Sequence, residues 1–143
     1  MHTDTIALLT DCTTGIRKTV CTINHLLPAI KDRSLRHRLQ EGVQDCHLLQ
    51  DHIKNLLDRY GGHEKGPGIL TRQAIRIKTD TRMSMGGDDT TAAELVARDC
   101  DREIRALSRS LNRCCMASAD AMTLSQEVIR CQEALSAQLR PYL

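Results

Sequence analysis

The stretch Ser34–Gly62, SLRHRLQEGVQDCHLLQDHIKNLLDRYGG, decides the fold. Leu35, Leu39, Gly42, Cys46, Leu49, Ile53, Leu56 and Tyr60 recur in steps of four and three, which sets them on one side of an α-helix with polar residues opposite. No proline interrupts the run. Asp32 or Ser34 can cap its start, and Gly61-Gly62 ends it, because glycine takes the left-handed conformation without a Cβ clash. Such a helix is about 40 Å long at 1.5 Å per residue. A single stripe of this kind is not stable in water, so the chain must supply partner helices with matching stripes. Leu49→Asp is expected among the most damaging substitutions, since it would bury an unpaired charge.

Upstream, Asp4 or Thr3 can cap a first helix whose stripe is Ile6, Leu9, Thr13, Ile16, Val20, Ile23 and Leu27. Gly15 inside it costs about 1 kcal/mol against alanine, which fits close packing against a neighbour, the other account being an incidental glycine. Pro28 ends or kinks this helix, and the short Lys31–Ser34 turn makes it an antiparallel hairpin with the second. Downstream, residues 61–68, GGHEKGPG, break the pattern. Ile69–Met85 is a weaker helical piece with Leu70, Ala74 and Ile77 on one side, and it reads as part of a crossover rather than a loop. Thr91 and Glu94 fit a capping box for a third helix striped by Ala93, Ala97, Cys100, Ile104, Leu107, Leu111 and Cys114. CCMAS, 114–118, turns the chain, and Ser118 caps a fourth helix with Ala121, Leu124, Val128, Cys131, Leu135 and Leu139 inward and Pro141 at its end. The expectation is one domain over 1–143: an all-α, antiparallel four-helix bundle with a long crossover, containing a short helix, between its second and third long helices. Two short turns and one long crossover are the ferritin-like connectivity.

Composition narrows the function. Net charge is only +2 and Trp and Phe are absent, so neither a dedicated nucleic-acid binder nor a base-stacking surface is expected. No apolar run reaches the ~20 residues of a membrane span, and the N-terminal MHTDTIALL has no signal-peptide pattern, so a cytoplasmic protein is expected. The seven cysteines show no CxxC pair and are expected to be mostly reduced, several as small core residues.

The chain resembles small stand-alone bacterial helical bundles of the ferritin-like superfamily, a domain of unknown function. The resemblance rests on Gly15, on Arg59-Tyr60-Gly61-Gly62, on Gly66-Pro67-Gly68 and on the crossover, and covers nearly the whole chain. It implies a stress-associated role. Metal-binding members hold two ions with a Glu from each of two helices and a Glu-x-x-His pair from each of the others. Here Ile16 follows Gly15 where a ligating Glu would stand, Leu49 stands near the expected histidine, and the fourth helix has no histidine. No ligand set therefore carries over.

Asp45, Cys46, Cys100, Glu103 and Cys131 are the candidates for an altered metal site. The three cysteines fall on three stripes and could hold a soft ion if they meet, although core filling is the simpler account. His47 with Asp51, and Asp45 with His52, read as surface contacts. Asp99 and Glu103, followed by Arg102, Arg105 and Arg109, read as a solvated charge ladder. Arg72, Arg76, Lys78 and Arg82 make the crossover basic, able to touch an acidic partner. The favoured function is a non-catalytic structural or interaction protein without a cofactor. The alternative is a metalloprotein that takes iron, zinc or copper, and the third reading is an acidic-partner module. Leu8, Leu26, Leu48 and Leu57 beside the main rows suggest a two-fold homodimer.

Overall fold

In the computed structural model, which describes residues 2–62, 69–84 and 87–143, the long elements are all helices: α1 (His2–Leu26), α2 (Arg33–Arg59), α3 (Ile69–Ser84), α4 (Asp89–Arg113) and α5 (Ala119–Leu139). Gly66-Pro67-Gly68 and the expected stop at Gly86 lie outside the described residues. No described helix is long and apolar enough to cross a membrane.

The helix ends follow local chemistry. Asp32 caps α2, its carboxylate accepting the Leu35 amide at 2.9 Å. Gly61 ends that helix with φ of +75°, in the left-handed region. Pro28 falls in a 3-10 turn, Leu27–Ala29, that closes α1. Ser118 caps α5 by accepting from the Ala121 amide. The start of α4 corrects the sequence reading. Asp88 is the cap, accepting from the Thr91 amide at 2.9 Å and from the Thr91 hydroxyl at 3.2 Å. Thr91 thus becomes the third residue of the helix rather than its cap, because an Asp three residues earlier reaches the same orphan amide.

Polar contacts between helices fix their directions. From α1 to α4, Asp11 meets Ser110 at 2.7 Å and Arg113 at 3.1 Å, and Thr22 meets Asp99 at 2.6 Å, so the two run antiparallel. α2 and α5 are also antiparallel: Tyr60 reaches Asp120 at one end, and Ser34 bonds Tyr142 just beyond the other. α3 lies against α1 and α4, tied by His25 to Asp80 at 2.7 Å. The α1–α2 turn is anchored on α4, where the Asp89 carboxylate accepts the Lys31 and Asp32 amides at 3.0 and 2.8 Å.

Because α1 touches all four other helices, it buries eleven of its 25 residues and cannot carry a single narrow stripe. Leu8 and Leu26 are core residues, as is Leu57 of α2, so three of the four leucines read as a dimer face are already covered within the chain. Leu48 remains, 62% exposed. Leu49, Tyr60, Ile104 and Leu111 are only half-buried, while Ile53 is fully enclosed. On α3 the inward row is Thr71, Ile75, Thr79 and Met83; Ala74 and Ile77 face solvent. Threonine, short and able to pack, was discounted by an apolar count.

Candidate functional site

A polar seam runs through the middle of the protein. The Thr5 hydroxyl accepts the Ser118 amide at 2.8 Å, the Cys12 thiol meets the Ser125 hydroxyl at 3.2 Å, and Gln132 Nε2 donates to the Thr19 hydroxyl at 3.2 Å. Each pair is 113 residues apart, and successive pairs advance by about two helical turns, so α1 and α5 run parallel in a fixed register. All these side chains but the Ser118 cap are buried. Ser125 spends its proton on the Ala121 carbonyl at 2.8 Å, which leaves the Cys12 thiol as donor. Burial pushes that thiol up to about 12, so it stays protonated. Thr19 spends its proton on the Gly15 carbonyl and accepts from Gln132, which fixes the orientation of the amide. Gln132 Oε1 then has no hydrogen-bond partner among the described residues, although Gln132 is only 3% exposed.

The five candidate ligands divide between two places. Cys46 on α2 and Cys131 on α5 lie close enough for each to influence the other's ionisation. Cys100 of α4 is fully buried and near enough to interact electrostatically with both. Asp45 is exposed at the edge of the same cleft. Glu103 stands apart, on the α1–α4 side, with its carboxylate over Gly15. A Cβ added at Gly15 would come within 2.5 Å of Glu103 Oε2, the end of a flexible side chain that lies over the glycine. Among the described residues, no three His, Cys, Asp or Glu side chains are grouped to hold a metal ion. Cys131 is only half-buried; the expected stripe put it inward, where Gln132 sits instead. The signal for Ser125 and Gln132 was four-residue spacing from Ala121 and Val128, not hydropathy.

Two charged features differ from expectation. Asp99 and Glu103 form a solvated ladder only in part: Arg102 approaches Asp99 at 3.5 Å, but both carboxylates are largely covered. The Asp99 side chain is 15% exposed and holds the Thr22 hydroxyl, and burial raises the Glu103 carboxyl above its ordinary value, against the pull of Lys18. Both line a pocket of about 230 Å³ beneath α3. The basic crossover is also not uniform. Arg72 and Arg76 turn towards an open groove of about 950 Å³ between α1, α2 and α3, where Arg17, His25 and His47 join them. Arg82 approaches Glu94 at 3.9 Å. His47 is bonded to Gln50, and Asp51 and His52 are exposed, so neither His/Asp pair of α2 builds a site.

No family model, curated protein or solved structure matches this chain.

Proposed function

We propose that this chain is a ferritin-like four-helix bundle of α1, α2, α4 and α5, with α3 in the crossover, that works without a metal as a non-enzymatic interaction protein. The supporting geometry is the parallel α1–α5 register together with antiparallel α1–α4 and α2–α5 pairs. The metal-free part is supported by the donor set: thiols, hydroxyls and an amide fill the interior, and the carboxylates of Asp45 and Glu103 lie on different sides of it.

The observation that carries the interaction role is the groove between α1, α2 and α3. Among the described residues three arginines and two histidines line it and no Asp or Glu does, with His25 paired to Asp80 at its edge, so its field favours an acidic protein segment. Arg72 and Arg76 are exposed on α3, so Arg72→Glu with Arg76→Glu should leave the fold intact. A labelled oligoglutamate peptide should bind the natural protein more tightly at low salt and lose about tenfold in affinity or more on the double reversal. Equal binding by both proteins would remove the reading. Elemental analysis of protein purified without chelator tests the other part: stoichiometric iron, zinc or copper would overturn it in favour of a site built on Asp45, Glu103 and the cysteines. Pairing of two copies through the exposed Leu48 is a further element of the proposal; a solution mass of one chain, 16.0 kDa, that Leu48→Glu leaves unchanged would remove it.

A further inference from the structure

Cys46 and Cys131 are placed for a reaction that the groove does not involve. α5 packs directly on α2 at Gly42, where an added Cβ would come within 3.1 Å of the Leu135 side chain. In this antiparallel pair, Cys46 lies one turn after Gly42 and Cys131 one turn before Leu135, so the two cysteines share the next level. Cys131 opens on a surface cleft of about 440 Å³, with Asp45, Glu127 and Arg130 around it. Cys46, at the same level, is 2% exposed and does not line the cleft. A reagent entering the cleft therefore meets Cys131 first and Cys46 second.

We propose that Cys46 and Cys131 form a peroxide-reactive dithiol, which hydrogen peroxide converts reversibly to a disulfide joining α2 to α5. The Cys131 thiolate attacks one peroxide oxygen, the O–O bond breaks, and the departing hydroxide takes a proton to leave as water. Cys131 is then a sulfenic acid. The Cys46 sulfur attacks it, the S–S bond forms, the S–O bond breaks, and the hydroxide leaves as a second water with the Cys46 proton. Two thiols and one peroxide give one disulfide and two waters. The roles follow from the environments. Cys131 is half-buried and opens on the cleft, so it is oxidised first, whereas the neighbouring Cys131 thiol and burial hold Cys46 protonated until it resolves the sulfenic acid. Cys12 and Cys100 are buried among seam and core residues. Cys115 is exposed and Cys21 is half-buried on the α1 groove, and these two are the competing targets.

The test uses the reduced full-length chain, equimolar hydrogen peroxide and peptide mapping without reductant. The expected result is a linked pair of peptides containing Cys46 and Cys131, the loss of two titratable thiols per chain, and recovery of both with dithiothreitol. In Cys46→Ser, Cys131 should pass beyond the sulfenic stage to sulfinic acid. The proposal is overturned if the helical, folded chain takes up peroxide without the 46–131 link, or if Cys115 or Cys21 is oxidised at lower peroxide than Cys131. The wild-type mapping alone decides the matter should a variant fail to fold.

Discussion

Replacing Gln132 by methionine isolates what the polar seam costs the protein. The side chain is 3% exposed; its nitrogen bonds Thr19 at 3.2 Å and its carbonyl oxygen is buried without a partner among the described residues. Leaving a buried acceptor unpaired costs about 1–3 kcal/mol, and a neutral hydrogen bond contributes about 1 kcal/mol net. Methionine has nearly the same length and flexibility, so it fills the space, removes the orphaned carbonyl and gives up one bond. Thr19 is not stranded, since its hydroxyl still donates to the Gly15 carbonyl. The balance is a gain of about 1 kcal/mol. With an unfolding entropy of about 2.1 cal/mol/K per residue, 143 residues give about 0.3 kcal/mol/K, so the midpoint should rise by roughly 3 °C. Urea and thermal melts followed by circular dichroism measure both quantities. Gln132→Glu is the control: an unpaired carboxylate at this depth should destabilise the chain strongly at neutral pH and recover in acid. A loss of more than about 1 kcal/mol in Gln132→Met would refute the reasoning, because it would mean the carbonyl is satisfied in the folded protein.

Three further outcomes are expected. Burial raises the Glu103 carboxyl above its ordinary 4.5, so the folded state holds that proton more tightly than the unfolded chain and loses stability as pH rises from 4.5 through the raised value. Glu103→Gln should therefore melt higher than wild type at pH 7, with the difference closing below pH 4.5; a lower melt at pH 7 would show that the Lys18 attraction outweighs burial. Ile53→Asp, at a fully enclosed position, should cost about 3–5 kcal/mol by urea melts. Leu49→Asp should cost clearly less, since Leu49 is half-buried and its carboxylate can reach water; equal losses would contradict the burial seen here. Asp88→Ala should lower the melting midpoint more than Thr91→Ala, because Asp88 is the acceptor for both the amide and the hydroxyl of Thr91, and the reverse order would restore Thr91 as the cap.

The sequence by itself determined the helices. Steps of three and four, an Asp or Ser at each well-defined start, and glycine or proline at the stops act over a few residues, so Asp32, Ser118, Gly61 and Pro28 were legible in their roles without any knowledge of neighbours. Gly15 fitted a close approach, and the Glu103 side chain lies over it. Only the tertiary structure decided which side of each helix is covered and how widely. α1 lies against four other helices, so residues on both sides of its apolar row, including Leu8, Cys12, Thr19 and Leu26, became core, and the surface read as free for a second copy was largely used up within the chain. The seam of Thr5, Cys12, Thr19, Ser118, Ser125 and Gln132 was not legible from hydropathy, because its pairs form between α1 and α5 across 113 residues. The antiparallel α2–α5 register brings Cys46 to the level of Cys131, and Asp45 and Glu103 stay apart. Periodicity gives each residue its angle about its own helix axis. The axial shift of one helix against another comes from packing, and that shift separates a thiol pair from a scattered set of metal ligands.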